Sequence, residues 1–244
     1  MSVLIRGVFW LALVGIGSAA LAGLLTRNLS VVVNGVASVA ASFTPRFVEY
    51  WFSLGFGGDV AFAPELPAWI AVAGFLHMLG MLGWYDSVSW WDHVTHTVSA
   101  ALVAALVYTG VHTYDSHALG SQLSDVYVAV FTVLFTLAVG VFWEFIELAA
   151  RELGEYVGEP PILEYYGLRD TILDTAFNGV GAVAVVALDV RVSVTVTDRL
   201  PRIIGRSILW GTVLLLFGTV ALGTLLARLA PVVRDAEPDP VERS

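Results

Sequence analysis

The chain has 244 residues, of which 57% are hydrophobic and 14% are charged, and it carries a formal net charge of -9 with no cysteine. Soluble domains carry about 25% charged residues, and a domain of this length cannot bury so much apolar surface. The composition excludes a soluble enzyme, a disordered chain and a disulfide-bonded scaffold, and it predicts a multi-pass protein of the cell membrane.

Seven apolar segments are candidates for membrane-spanning helices, since about 20 apolar residues cross the hydrocarbon core. The second is the weakest, because it has sixteen residues and contains Asn34, Gly35 and Ser38. We expect an all-α, polytopic helix bundle that forms a single membrane domain over residues 1–230, followed by an acidic, disordered tail at 231–244. The predicted helices are 4–25, 29–44, 67–85, 93–113, 124–148, 170–190 and 204–228.

The segments between these helices suggest how the chain meets the membrane surface. The first helix has an alternative as a signal peptide that is cleaved at Ala20-Leu21-Ala22. Residues 45–65 mix charged and aromatic side chains, which is typical of an interfacial stretch, and Trp84, Tyr85, Trp90 and Trp91 predict an aromatic belt. The acidic segment 149–169 is predicted to be a loop. Arginine counts on the two sides are equal, and the cluster at 191–206 favours a cytoplasmic N-terminus.

All twelve basic residues are arginine, and the sequence contains no lysine. A retinal Schiff base requires a lysine amine, so a retinal pigment is excluded. There is no basic patch for nucleic acid, and membrane lipids are the expected partners, with the oligomeric state left open. An acidic, lysine-free composition rich in alanine and valine predicts a halophilic archaeal source.

Ionisable residues recur at helical spacing in three of the predicted helices. Placing such residues in a membrane has a high free-energy cost, so they usually mark a functional site. Asp92 and His96 are four positions apart, Glu144 and Glu147 are three positions apart, and consecutive members of a third set are four positions apart. The start of the fourth helix, the end of the fifth and the start of the sixth lie on one side of the membrane. We therefore expect one polar pocket near that side, with His77 as its floor. The third set is Asp170, Asp174 and Asn178.

Histidine and carboxylate side chains together suit Zn, Mn or Fe. The predicted metal ligands are Asp92, His96, Asp170 and Asp174. Catalytic acid–base or proton-transfer roles fall to Glu144, Glu147 and His93, and substrate contacts fall to Arg169, Asn178 and His77. Without a metal, a histidine among buried carboxylates still performs acid–base catalysis or relays protons.

Each polar residue also has a purely structural interpretation. Asp92 and Asp170 are candidates for helix caps, and Arg169 is a candidate ion-pair partner for Glu144 or Glu147. Asp174 and Asn178 also suit hydrogen bonds between helices, and Gly181 predicts a close helix approach. His112 and His117 are expected to be solvated loop residues near the opposite surface.

The motifs Phe75-Leu76-His77-Met78-Leu79-Gly80, Asp92-His93-Val94-Thr95-His96 and Trp143-Glu144-Phe145-Ile146-Glu147 resemble those of the YjdF-like membrane proteins. These are small polytopic proteins with no established activity. A weaker similarity links the chain to VanZ-like proteins, through Asp92, His96, Glu144 and the helix that contains Arg169, Asp170, Asp174, Asn178 and Gly181. That resemblance implies cell-envelope lipid chemistry, but His93 stands where a lysine is usual.

Three functions remain open from the sequence. The first is a metal-dependent enzyme that acts on a lipid or isoprenoid substrate, which requires a pocket open to the interface. The second is a transporter or an ion- or proton-conducting protein, which requires polar residues that continue to the other surface. The third is a structural membrane protein, in which the polar cluster serves helix packing only.

Overall fold

The computed structural model describes residues 3–55, 60–157, 161–163, 166–196 and 200–236. Within these residues seven helices are long and apolar enough to cross a membrane, which confirms an all-α polytopic membrane protein. Five-residue π-helical turns lie inside α3, at Gly80–Trp84, and at the end of α4, at Asp115–Leu119. The helices are α1 (Val3–Thr26), α2 (Leu29–Gly55), α3 (Glu65–Ser87), α4 (Trp91–Leu119), α5 (Asp125–Val157), α6 (Leu168–Ala187) and α7 (Leu200–Ala236).

Three helices extend well beyond their predicted ends. α2 continues through Pro45 to Gly55, so the prediction of an interfacial stretch from residue 45 is wrong for residues 45–55. Arg46 pairs with Glu49 at 2.6 Å, one helical turn apart, so these two charges support the helix that they were expected to interrupt.

α5 is also longer than predicted, because it continues into the predicted loop at 149–169 as far as Val157. Arg151 and Glu155 form an i,i+4 pair at 2.8 Å in this extension. α7 begins at Leu200 and continues through Pro231 to Ala236, so the predicted disordered tail is wrong for residues 231–236. Residues 237–244 of that predicted tail lie outside the described residues.

Two short strands, which the sequence analysis did not predict, join loops that are far apart in the chain. β1 (Val60–Phe62) pairs antiparallel with β2 (Val194–Val196), and Val60 lies opposite Val196. β1 lies between α2 and α3, and β2 lies between α6 and α7. The pairing therefore marks one face of the bundle, here called the strand face. The opposite face, at the α3–α4 and α5–α6 connections, is called the cavity face.

The helices pack as two groups. α1, α2 and α3 contact one another, whereas α4, α5, α6 and α7 form the second group, and α3 also contacts α4. Ile16, Val31 and Met78 are buried in the first group. In the second, Gly181 brings α6 against the backbone of α4, because a Cβ atom there would overlap the Thr97 carbonyl oxygen. This close approach agrees with the prediction for Gly181.

Candidate functional site

A cavity of about 400 Å³ lies between the two helix groups, towards the cavity face. Helices α2 to α6 all contribute to its walls. Much of the wall is apolar, with Ile70, Leu102 and Val139 among its residues, and the polar residues concentrate where α4, α5 and α6 meet. The cavity therefore combines an apolar interior with one polar corner, which is the usual construction of a ligand site.

Asp92, His96 and Asp174 form the centre of the polar corner. The Nε2 atom of His96 lies 3.6 Å from the Oδ1 atom of Asp92 and 3.9 Å from the Oδ1 atom of Asp174. One ligand atom from each residue lies within 4.8 Å of the other two. The i,i+4 spacing on α4 places Asp92 beside His96, and the packing of α6 on α4 brings Asp174 to both.

Asp174 is the buried member of this cluster, whereas Asp92 and His96 are half-buried. Asp174 is 2% exposed, yet its Oδ1 atom has no hydrogen-bond partner among the described residues. Buried polar atoms are normally hydrogen-bonded, and an unpaired one calls for an explanation. A cation between the three residues would supply a partner for the Asp174 oxygen.

The distances suit a divalent metal. Ligand atoms about 2.1 Å from one ion lie about 3.0–3.4 Å apart in octahedral or tetrahedral sites. The observed separations of 3.6 and 3.9 Å are slightly wider, so small side-chain rotations close them onto one ion. One imidazole and two carboxylates form a mixed N,O ligand set, which suits Zn, Mn or Fe.

The other predicted carboxylates surround this cluster without joining it. Asp170 and Glu147 line the cavity, whereas Glu144 is 5% exposed and lies behind the wall. The Nε1 atom of Trp143 donates a hydrogen bond to the Oε1 atom of Glu147 at 2.6 Å. Asn178, one turn beyond Asp174, also lines the cavity and is 4% exposed. Three helices thus deliver five carboxylates to one region.

His93 lies beside the cluster and outside the cavity wall. Its ring stacks on Phe177 of α6, with the ring centres 4.2 Å apart. Its Nδ1 atom lies 4.0 Å from the Oδ1 atom of Asp174 and is buried without a hydrogen-bond partner among the described residues. This position suits a residue that orients Asp174 or exchanges a proton with it.

The structure contradicts the predicted helix-capping and ion-pair roles of three polar residues. Asp92 and Asp170 lie in the first turns of their helices, but the cap positions belong to Trp90 and Gly167. Arg169 is exposed and makes no ion pair within the described chain, so it does not neutralise Glu144 or Glu147.

The remaining histidines and the aromatic belt differ in part from the predictions. His117 is exposed, as predicted. His112 is half-buried in α4, where it packs edge-on against Tyr108, and is not a loop residue. Of the four aromatic residues, Trp84 and Trp90 are exposed, whereas Trp91 is buried and donates a hydrogen bond to the Leu76 carbonyl at 3.1 Å.

His77 belongs to a hydrogen-bond network in the opposite wall of the cavity, with Asn34 and Tyr85 as partners that the sequence does not predict. The Asn34 amide donates to the carbonyls of Ser30 and Ile162, both at 2.9 Å, so its oxygen faces the Nε2 atom of His77 at 3.2 Å. His77 therefore donates from Nε2, and in the neutral ring Nδ1 accepts the Tyr85 hydroxyl at 2.7 Å. The amide orientation thus assigns the His77 tautomer.

The chain bends so that Tyr85 can reach His77. Gly83 has a φ of 106° inside the π-helical turn, a conformation that favours glycine. The Tyr85 ring then packs over Gly80, where a Cβ atom would overlap it. The glycines at positions 80 and 83 are the sequence signal for this turn. Tyr85 was predicted to belong to a membrane aromatic belt, because it lies near a helix end.

We expect Asn34→Leu to destabilise the fold by about 1–3 kcal/mol, because it leaves the Ile162 carbonyl and the His77 Nε2 hydrogen without partners. Ser30→Ala is the control, since it removes a single hydrogen bond to the same segment, from Ser30 to Pro161. Unfolding of both variants in one detergent measures the difference. Equal losses in the two variants would show that the His77 link adds nothing.

A second concave region lies on the strand face and contains Tyr108, Asp125, Asp189 and Arg191. Arg191 pairs with Asp189 at 2.7 Å and lies 5.4 Å from the centre of the Tyr108 ring. Its hydrogen bond lowers the pKa of the exposed Asp189 carboxyl below the usual value. The arginine is therefore already paired, and this region has no cluster comparable to that of the cavity.

Comparison with protein families matches residues 5–194 to DUF2238, a family that is described as a predicted membrane protein. The chain belongs to the DUF2238 family. No curated protein and no solved structure matches it. The matched region of this DUF2238 protein contains every residue that lines the cavity, whereas α7 lies outside it.

Proposed function

We propose that this DUF2238 protein is a metal-dependent enzyme that acts on a lipid or isoprenoid substrate at the cavity face. One observation carries the proposal: Asp92, His96 and Asp174 converge, with an unpaired buried oxygen, on the polar corner of an otherwise apolar cavity. A divalent cation there would supply Lewis-acid chemistry. The family match leaves the activity open.

The position of the cavity supports a substrate that arrives from the bilayer. Ala37 and Ala41 on α2 and Trp143 on α5 line the cavity, and all three are exposed. α2 packs on α1 and α3, whereas α5 packs on α4, α6 and α7. The gap between α2 and α5 therefore opens sideways, at a depth where the surroundings are lipid.

Residue roles follow from position. Asp92, His96 and Asp174 would hold the cation, and Asp170 lies in the same cavity wall. Glu147 at the cavity wall serves as general base, held in place by the Trp143 indole. Glu144 and His93 tune and orient these groups from behind the wall. Asn178 and His77 contact the substrate from opposite walls, while the exposed Arg169 is available to a head group outside the cavity.

Transport through the bundle is less well supported. The route from the cavity to the strand face is filled by an apolar cluster that includes Leu66, Ala104, Tyr108, Ala182 and Val185. A conducting path needs polar residues or water along its length. The sideways opening of the cavity and the apolar packing towards the strand face favour an enzyme over a transporter.

We also propose that this protein is related to the YjdF-like and VanZ-like membrane proteins. The residues behind the VanZ resemblance include Asp92, His96 and Asp174, which the fold brings together. The resemblance supports chemistry on cell-envelope lipids. His93, which replaces the usual lysine, stacks on Phe177 beside the cluster and suits a proton-transfer role that a lysine would perform differently.

Elemental analysis of the purified full chain, after loading with Zn, Mn or Fe(II) and desalting, tests the proposal. We expect about one divalent ion per wild-type chain, and less than about a tenth of that in His96→Ala, because the residues that bind the ion directly dominate its affinity. His117→Ala is the matched control, since His117 is exposed on the far side of the bundle. Wild type without bound metal, or equal metal in both variants, would contradict the proposed metal site.

The lipid arm of the test compares extracts of cells that express wild type or Asp174→Asn. We expect mass spectrometry to detect lipid species that change with wild type only. Unaltered lipids together with normal folding of the variant would favour a structural role for the cluster. Metal binding without any lipid change would remove the catalytic part of the proposal.

A further inference from the structure

The cavity wall changes from polar to apolar along one direction. On α4 the wall runs from Asp92, in the first turn of the helix, to Val103, and on α5 it runs from Glu147 to Thr136. Because α4 begins and α5 ends at the cavity face, Asp92 and Glu147 lie near that face and the other two residues lie deeper. The Thr136 hydroxyl donates a hydrogen bond within α5, to the Thr132 carbonyl at 2.8 Å. The deep end of this half of the wall is therefore mainly apolar.

The helices of the other group repeat the same change in polarity. α3 ends at the cavity face, and its wall residues run from Tyr85 near that face to Ile70 in the depth. α2 begins at the cavity face, and its wall residues run from Asn34 to Ala41. Both groups thus place hydrogen-bonding side chains near the cavity face and aliphatic side chains towards the middle of the bundle. Single polar groups lie part-way down the wall, at Ser38, Ser99 and Asn178.

The depth of the cavity matches one leaflet of a membrane. Asp92 and Val103 are eleven positions apart, and so are Thr136 and Glu147. At a rise of about 1.5 Å per residue, each of these two walls is about 16 Å long. The hydrocarbon core of a bilayer is about 30 Å thick, so one leaflet contributes about 15 Å. The cavity therefore reproduces, inside the bundle, the depth and the polarity of one leaflet.

The deep end and the volume limit what the cavity holds. Towards the strand face the bundle is packed with an apolar cluster that includes Ala104, Ala105 and Val128. The volume of about 400 Å³ lies near the small end of the common range for ligand sites, about 300–1,000 Å³. Spread over a depth of about 16 Å, it gives a mean cross-section of about 25 Å². That cross-section is close to the thickness of one extended hydrocarbon chain, and two chains side by side would need more.

We propose that the cavity holds a single-chain lipid upright, in the orientation that the lipid has in the leaflet at the cavity face. Its polar end lies beside Asp92 and Glu147, and its chain points towards Val103 and Thr136. The chain enters sideways between α2 and α5, past Ala37, so its polar end stays at one depth throughout. This inference rests on the proposed function for a lipid substrate, and it adds the number of chains, the leaflet and the orientation.

Photolabelling of the full chain in one neutral detergent measures the orientation. Two hexadecanol derivatives serve as probes, with a diazirine next to the hydroxyl end or next to the methyl end, and mass spectrometry locates the labels. We expect the hydroxyl-end probe to label Tyr85 and Trp143, and the methyl-end probe to label Ile70 and Val103. An excess of oleyl alcohol should suppress both patterns. The reverse order, the same residues labelled by both probes, or no label in the cavity would overturn the inference.

Ser99→Leu supplies the internal check. Ser99 lines the cavity between its two ends and is exposed, so a leucine there obstructs the deeper half. We expect labelling of Val103 by the methyl-end probe to fall severalfold. Ser18→Leu is the matched control, because Ser18 is exposed on α1 and does not line the cavity, and it should leave the labelling unchanged. Equal labelling of Val103 in the two variants would contradict a chain that reaches the deep end.

Labelling of metal-loaded and of EDTA-treated protein separates this inference from the proposed function. Labels in the expected order, in a protein that never binds metal, would refute the metal-dependent enzyme and retain the upright lipid. A bound metal without labels in that order would retain the metal site and refute the upright lipid.

Discussion

Replacing Gly181 by alanine is expected to lower the free energy of unfolding by about 1–3 kcal/mol, the usual cost of forcing atoms into a packed interface. The added Cβ atom would overlap the Thr97 carbonyl oxygen and would meet the Ala101 nitrogen. Both are backbone atoms, so α4 and α6 must move apart. The helices that separate are the two that carry His96 and Asp174, and metal affinity should fall with stability.

Gly179→Ala is the matched control for this experiment. It makes the same chemical change two residues earlier on α6, where the nearest atom, Cδ2 of Leu137, lies at an ordinary contact distance of 3.6 Å. Alanine is favoured over glycine in a helix by about 0.5–1 kcal/mol, so this variant should be neutral or slightly stabilised. Reversible unfolding in one detergent measures both. If Gly181→Ala matched Gly179→Ala, the close contact of α4 and α6 would be refuted.

If a single-chain lipid enters between α2 and α5, as proposed above, a tryptophan at Ala37 is expected to weaken its binding at least about tenfold, because the indole would fill that gap. Ala37 is exposed and lines the cavity, so a larger side chain there has room outside the packed core. Titration with oleyl alcohol measures the loss.

Val36→Trp controls for the size and hydrophobicity of the new side chain. Val36 is the preceding residue, is 63% exposed and does not line the cavity, so its replacement should leave binding unchanged. Metal content should remain at the wild-type value in both variants, since neither residue touches the cluster. Undiminished binding in Ala37→Trp would place the route of entry elsewhere.

The sequence predicted the number and location of the helices well, because hydropathy reports membrane burial directly. It failed at helix ends. Charged residues at 46 and 49, or at 151 and 155, were interpreted as signs of a loop, although their spacing allows ion pairs along one helix. In α2, the proline at position 45 removes one backbone hydrogen bond without ending the helix.

The candidate site was predictable where it depends on spacing within a helix and on which helix ends share a side. Those two arguments bring Asp92, His96 and Asp174 together. They cannot find contacts between helices that are distant in sequence, such as the bond from His77 to Asn34, 43 residues earlier. They also cannot show that Tyr85 folds back over Gly80, because a π-helical turn has no hydropathy signal.

The pairing of β1 with β2 bears on how the chain assembles. β1 follows α2 and β2 follows α6, so the ladder joins one helix group to the other at the strand face. The only direct chain connection between the groups is the turn at residues 88–90, on the cavity face. A polypeptide divided in that turn would keep the ladder as a noncovalent link. We therefore expect the two fragments to insert independently and to associate around the cavity. Co-purification of separately tagged fragments would detect this association.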